Sequence, residues 1–496
     1  MNVGKLLKAT RGKGENKIAI VFKDVYYTYK ILEENTNKVA NFLKELGVKK
    51  GTKVGIYMSN SPEYIYAYFA IFKMGAIAVP LDHRLKTGET FPLLNHCRVE
   101  FLITTVSKEF NPELIMKNVP SLKNIIITKG NFQNCISLEE KIENLSPEFP
   151  VTDINESEIA VIFYTSGTTD TPKGVIWTYK HLESPMETLN YYHYFKEDDV
   201  CISPIPFSHN GGIAAILLIL FGVKLVVMEY YHPVELLINL QKYNVTGTFL
   251  VPTMFIGMLS LENFEKFKLP HLKWAAVFGA PYSPDVINKF NKVCPQAKLL
   301  SGYGLTETAA PNVLPPLDNV KFGSVGKPVP WVELKIVDED GVEVPKGEVG
   351  EIIFKGWPVT SGYYNQPELT SQVIKNGWLY TGDLGKFDED GYLYIVGRKK
   401  EVIIVGGLKV YATEVEGVIY KHPKVKEVAV VGTPDKIRGE AVKAVIVPKE
   451  GEALTEIEIK IFCREHLTSY KVPSIIELRK ALPKTGSGKI RKELLK

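Results

Sequence analysis

Short apolar runs and amphipathic helical stripes alternate through residues 28–300, and this alternation restricts the possible fold more than any other feature of the sequence. Across residues 28–46 the apolar side chains Leu32, Val39, Phe42, Leu43 and Leu46 fall on one helical face, with Thr28 placed to cap it and Gly47 just past its end. A strand-like run at 53–58 follows, then a helix opened by Ser61 and Pro62 and carrying Tyr64, Ala67, Phe69 and Phe72 inward. Residues 76–80, 101–105, 125–128 and 159–163 repeat the strand pattern, as do 224–228, 247–251 and 274–278, with helices expected at 233–243 and 284–293. Strands alternating with helices of this length predict α/β architecture with mainly parallel sheets flanked by helices.

The texture changes twice. Residues 321–398 are dense in Gly, Pro and short alternating runs such as 333–337 and 350–354, with turn signals at 338–341 and 388–391, which predicts a distorted antiparallel β-barrel. After the charged turn at 397–401 comes a small α+β unit, with strands at 402–405, 425–431 and 441–448 and helices from Thr413 and Leu454. The charged turn is a natural domain boundary. The expected division is therefore 1–399, with 321–399 as its barrel-like part, and 400–496.

A chain of 496 residues exceeds what one core sustains, since single cores stop growing at about 250–300 residues. Sixty basic against 56 acidic residues leave a net charge of +4, too little to build a nucleic-acid or membrane surface. The five cysteines are odd in number, scattered and without a C-x-x-C pair, as expected of free thiols in a reducing, cytoplasmic setting. The start lacks the apolar core of a signal peptide. The longest apolar segment, 213–223, falls short of the about 20 residues that cross a bilayer and reads as a buried helix.

Residues 164–174 read YTSGTTDTPKG and follow the apolar run 159–163. Gly167 supplies backbone freedom, the hydroxyls of Thr165, Ser166, Thr168 and Thr169 supply donors, and Lys173 supplies a cation, which together suit a polyphosphate. This is not a Walker loop, because Gly174 stands where the Mg²⁺-binding hydroxyl would follow the lysine. Four distant stretches complement it. SGYGLTET at 301–308 holds an aromatic, two glycines, a hydroxyl and a carboxylate; YTGD at 380–383 presents an acid on a glycine turn; GRKKE at 397–401 clusters cations; and KTGSGKIR at 484–491 is a basic, glycine-rich loop. Singly each has an ordinary structural explanation. Jointly they meet the needs of a nucleotide triphosphate: a stacking face, an acceptor for ribose hydroxyls, a carboxylate for Mg²⁺ and cations for phosphates.

Over essentially its whole length, and in the same motif order, the chain resembles the adenylate-forming enzymes, the superfamily of acyl-CoA synthetases, luciferases and peptide-synthetase adenylation domains. The resemblance implies a large N-terminal domain and a small mobile C-terminal one with its hinge at Lys400. It implies that Thr165, Ser166, Gly167, Thr168, Thr169 and Lys173 grip the β- and γ-phosphates of ATP. Gly279, Ala280, Pro281 and Tyr303 are implied at the adenine, Gly304 in the nucleotide site, Thr306 at the α-phosphate, Glu307 at Mg²⁺, and Asp383 with Arg398 at the ribose. Lys489 matches the lysine that bridges substrate carboxylate and α-phosphate. Gly406 and Gly407 match the turn that lines the pantetheine channel after the C-terminal domain rotates. His209, within PIPFSHNGG at 204–212, resembles the histidine that gates or orients the acyl carboxylate.

The implied activity is ATP-dependent activation of a carboxylic acid, a fatty acid in particular, to acyl-AMP and then acyl-CoA. The alternatives are a ligase loading an acyl carrier protein and an aryl-CoA ligase; an inactive binding homologue is disfavoured by the presence of Glu307, Asp383 and Lys489. Ile213, Phe255, Val277 and Phe278 are the expected apolar pocket lining. The stretch around His209 lacks the aspartate that amino-acid-activating relatives use. Three positions depart from the family pattern: Asp170 for glycine in the phosphate loop, Glu401 for aspartate after the hinge, and Ala412 for proline after Tyr411.

Overall fold

The α/β pattern folds into two seven-stranded sheets. In a computed structural model describing residues 3–106, 111–165, 172–278, 284–484 and 490–496, the first sheet runs in the order Ile136–Ser137, Asn124–Thr128, Phe101–Thr105, Lys53–Tyr57, Ile77–Pro80, Ile159–Thr165, Lys173–Thr178. The second runs Lys298–Leu300, Trp274–Val277, Gly247–Leu250, Val200–Ser203, Lys224–Val227, Ile18–Phe22, Val25–Thr28. Both are parallel except for their last pair, an antiparallel hairpin in each.

Local chemistry sets the helices that cover these sheets. Thr28 caps Tyr29–Glu45, its Oγ1 accepting from the Ile31 amide at 3.2 Å. Ser61 caps Pro62–Met74 in the same way, and Gly75 closes that helix at φ +70°, where a side chain would be strained. Tyr64, Tyr68, Phe72 and Trp177 share one buried core with Ile216 and Ile219, so the two sheets are packed through helices between them. The apolar segment 213–223 is buried as expected, but it is not one helix: Asn210–Leu217 is α-helical and Leu218–Phe221 tightens to a 3₁₀ turn that ends at Gly222.

The third texture is a curled antiparallel half-barrel of Val332–Val337, Gly350–Gly356, Trp378–Phe387, Ile374–Lys375 and Leu393–Arg398. Its last strand passes through the 3₁₀ turn Lys399–Glu401 into Val402–Val405, the first strand of the terminal sheet. That sheet adds Leu408–Tyr411, Val425–Asp435, Gly439–Pro448 and the parallel Ile475–Leu478, with helices Ala412–Ile419 and Glu456–His466 against it. The second helix starts later than the sequence indicates because Thr455, not Leu454, supplies the cap. All five cysteines are free. No helix among the described residues is long and apolar enough to cross a membrane.

Candidate active site

Strands Ile159–Thr165 and Lys173–Thr178 pair antiparallel, with Tyr164 opposite Gly174 and Thr165 opposite Lys173. The glycine-rich stretch is therefore the connection of a β-hairpin at a sheet edge. Thr165 and Lys173 stand at its neck; Ser166, Gly167, Thr168, Thr169 and Asp170 lie outside the described residues. Gly174 permits the close pairing, since a Cβ there would come within 2.9 Å of Ile162. The far edge of the hairpin is covered by residues 360–366: the Ile176 amide donates to Gly362 O at 3.2 Å, the Tyr364 amide to Gly174 O at 2.8 Å, and Thr360 Oγ1 to Ile176 O at 2.6 Å.

That covering segment also reaches Glu307. Thr306–Thr308 forms a 3₁₀ turn whose Thr306 carbonyl accepts from Trp177 Nε1 at 2.7 Å and whose Glu307 carbonyl accepts from the Thr360 amide at 2.7 Å. The Tyr363 hydroxyl donates to Glu307 Oε1 at 2.9 Å. Burial, reinforced by the adjacent Glu307 carboxylate, pushes the Tyr363 phenol well above its ordinary range, so it stays a donor. Thr306, Glu307 and the hairpin are thus tied into one unit through Trp177, Thr360 and Tyr363, none of which the sequence analysis singled out.

A second unit joins three expected residues directly. Asp383 and Arg398 face one another across the pair Trp378–Phe387 and Leu393–Arg398, with Arg398 Nε 3.0 Å from Asp383 Oδ1. The Tyr303 hydroxyl donates to Asp383 Oδ2 at 2.8 Å. Burial and then the Asp383 charge hold the Tyr303 phenol protonated far above its usual range. Asp383 is 5% exposed and reaches this place because Gly382 turns at φ +71°. The Gly382 amide donates to Glu351 Oε1 at 3.0 Å, and Lys399 holds the other oxygen of Glu351 at 2.9 Å. Gly304, at φ +156°, is close to Ala310: a Cβ at 304 would lie 2.5 Å from the Ala310 Cβ.

His209 stands in a different group. Its Nε2 is 3.1 Å from Asp82 Oδ2 and 3.3 Å from Arg84 Nη2. Asp82 Oδ1 also accepts from the Arg84 amide at 3.0 Å and from Arg84 Nε at 2.8 Å. Burial opposes ionisation of Asp82, yet the hydrogen bonds from His209 and Arg84 outweigh it and hold its carboxyl well below the carboxylate range. The sequence stretch around His209 holds no acid, and the carboxylate that meets it in space is Asp82. Asp82 arrives from the loop after Ile77–Pro80, and Arg84 meets its charge.

The expected pocket lining also needs correction. Phe255 and Val277 are fully buried in the core formed with Leu236, Leu237 and Phe290, and Ile213 is fully buried in the core between the sheets. Phe278 alone of the four is partly exposed; it stacks on Phe249 with centroids 6.2 Å apart, and a Cβ at Gly302 would lie 2.5 Å from its ring. Gly406 and Gly407 form the exposed turn between Val402–Val405 and Leu408–Tyr411, at φ +59° and +84°, with the Gly406 amide donating to Arg438 O at 2.8 Å. Gly279, Ala280, Pro281 and Lys489 lie outside the described residues.

Comparison with known proteins identifies the family and the fold. A family model described as AMP-binding enzyme matches residues 7–364, and one described as AMP-binding enzyme C-terminal domain matches residues 414–489. The chain is 32% identical over 506 residues to the crotonobetaine/carnitine–CoA ligase of Proteus mirabilis (strain HI4320), covering 97% of this chain and 96% of that one. It is 32% identical over 534 residues to the long-chain-fatty-acid–CoA ligase of Bacillus subtilis (strain 168), covering 99% and 93%. A crystal structure of an anthranilate CoA ligase in complex with anthranoyl-AMP superposes with a TM-score of 0.92 at 28% identity, covering 100% of this chain and 96% of that one.

Proposed function

The chain belongs to the AMP-binding enzyme family, and on that premise we propose that it joins a carboxylic acid, most suitably a fatty acid, to CoA by way of acyl-AMP at the expense of ATP. The observation that carries this reading is the hydrogen-bonded unit of Tyr303, Asp383 and Arg398, with Tyr303 three residues before the Thr306–Glu307 turn that Trp177 ties to the hairpin strand Lys173–Thr178. Asp383 offers a carboxylate as the acceptor for ribose hydroxyls. Tyr303, protonated and fixed through its hydroxyl, gives adenine a face.

In the first step a carboxylate oxygen attacks the α-phosphorus and the bond from that phosphorus to the bridging oxygen breaks, releasing pyrophosphate. Both reactants are anionic, so catalysis is neutralisation and alignment, and no protein nucleophile is needed. Lys173 at the hairpin neck and Lys489 supply cations, and Thr306 a donor at the α-phosphate. Glu307 fits an Mg²⁺ site: one oxygen is held by Tyr363, and an ion that keeps several waters and binds phosphates needs only one or two protein carboxylates. Bound there, Mg²⁺ would neutralise phosphate charge. In the second step the thiol sulfur attacks the acyl carbon, the bond to the AMP oxygen breaks, and the thiol proton passes to solvent. We assign the hinge to Lys400, with 400–496 turning so that Gly406 and Gly407 replace Lys489 at the site. His209, held by Asp82 and Arg84, is assigned to the acyl carboxylate.

Carboxylate-dependent exchange of pyrophosphate into ATP, run over a panel of aliphatic and aryl acids, tests the reading. Exchange with fatty acids and AMP release with CoA are expected. Exchange with none of the panel would overturn it, and AMP release with an acyl carrier protein but not CoA would reassign the acceptor.

A further inference from the structure

The C-terminal segment is fastened to the hinge turn by a half-buried charge cluster that the proposed reaction does not use. Lys484 and Ile490 form an antiparallel bridge, and the Arg491 amide donates to Pro483 O at 2.8 Å, so a paired stem brackets residues 485–489. Leu482, Ile490 and Leu495 pack this stem against Ala429, Val431, Val445 and Val447. Immediately beyond it, Lys492 Nζ lies 2.8 Å from Glu401 Oε2 and 2.8 Å from Glu416 Oε1.

The two carboxylates come from different places. Glu401 ends the turn Lys399–Glu401, beside the assigned hinge, and Glu416 lies on helix Ala412–Ile419, where its Oε1 also accepts from the Val430 amide at 2.8 Å. The Lys492 and Glu416 side chains are 19% and 15% exposed. Burial works against the ammonium, but Glu416 and Glu401 outweigh it and raise Lys492 above its ordinary range. Burial prevails at Glu416, which titrates higher than usual, as expected when two carboxylates share one cation. A surface ion pair would carry little weight. This one is largely desolvated, spans three elements, and would leave an uncompensated charge if one member were removed.

We propose that Lys492 is a positioning residue for the adenylation half-reaction: by clamping Glu401 to Glu416 it fixes the stem of residues 485–489 to the hinge turn, so that rotation at Lys400 delivers the stem in one register. The inference rests on the assignment of Lys489 to that half-reaction. It also accounts for glutamate at 401, since aspartate is one methylene shorter and would draw the carboxylate away from Lys492.

The test measures each half-reaction separately, as pyrophosphate exchange and as thioester formation from supplied acyl-AMP, in Lys492→Met, Lys492→Arg, Glu401→Gln and Glu401→Asp. Lys492→Met and Glu401→Gln are expected to slow exchange about tenfold or more, close to 1.4 kcal/mol of activation free energy, with the KM for ATP and the thioester rate unchanged. Lys492→Arg should restore exchange, Glu401→Asp should fall between, and the double variant should be no worse than either single one. Glu401→Gln is isosteric and keeps the test open should Lys492→Met unfold the terminal unit. Equal loss of both half-reactions, or wild-type exchange in Glu401→Gln, would overturn the clamp. Wild-type protein without any carboxylate-dependent exchange would instead overturn the functional reading beneath it.

Discussion

Asp383 arrives at the site already bonded to Tyr303 and Arg398, so its position is set before any nucleotide binds. Asp383→Asn keeps the volume and removes the charge, and Arg398, about half exposed, is not left buried without a partner. The expected result is a fall in kcat/KM for ATP of about 10–100-fold, the range of one to two charge-assisted hydrogen bonds, with the fold intact; steady-state kinetics at varied ATP check it, and an unchanged value would remove Asp383 from the ribose. Asp170 adds a negative charge to a stretch assigned to phosphates, so Asp170→Gly should lower the KM for ATP; an unchanged or raised KM would mean the carboxylate faces away. Tyr303, Asp383 and Arg398 were legible in the sequence because each sits in a short stretch with its own glycine or charge signature. Tyr363 and Asp82 were not, because their roles exist only through partners 56 and 127 residues away, Glu307 and His209.

The strand Lys173–Thr178 is the element that organises the site, and it escaped the sequence analysis. Its alternation is only six residues long and begins with Lys-Gly, which reads equally well as the tail of a polar loop. The strand Ile159–Thr165 was recognised because its apolar run is continuous. His181 fixes the end of the unrecognised strand: its Nδ1 accepts from the Thr178 amide at 2.9 Å, and its ring bonds the backbone of Val359 and Trp357, just ahead of the covering segment. Burial lowers its pKa to about 4, against those backbone bonds. A histidine depressed in the folded state contributes stability that is complete above the ordinary value near 6.5 and is lost as pH falls through that value toward about 4. The loss amounts to about 3 kcal/mol, at 1.36 kcal/mol per pKa unit. Denaturation midpoints should therefore fall more steeply between those limits in wild type than in His181→Gln, and parallel pH profiles would show that another group governs acid sensitivity. Gly304→Ala tests the next element, because its Cβ would lie 2.5 Å from Ala310 Cβ at a φ that side chains rarely adopt. Nucleotide affinity measured by calorimetry should fall with Tyr303 displaced; retained affinity would mean the turn at 304 tolerates the shift.

Across the whole molecule, the three textures of the sequence became two parallel-rich sheets, a half-barrel and a terminal α+β unit, in that order along the chain. What the sequence did not disclose was how they share the site. Apolar period reports which face of an element is buried, but not which of two similar cores receives it, and so it does not show that Phe255 and Val277 pack with Leu236, Leu237 and Phe290. At this scale Lys489→Ala should abolish pyrophosphate exchange and spare thioester formation from supplied acyl-AMP. Equal loss of both would argue against a rotating C-terminal domain. The covering of the hairpin edge by residues 360–366 also sets a timetable for biosynthesis. The Ile176 carbonyl must wait for Thr360, 184 residues later. At translation speeds of about 5–20 residues per second, that is on the order of ten seconds or more. For that interval the emerging chain carries an open β-edge on this hairpin, a template for pairing with other nascent chains, so the yield of soluble protein should depend on how fast the ribosome reaches the half-barrel and on which chaperones guard the edge until then.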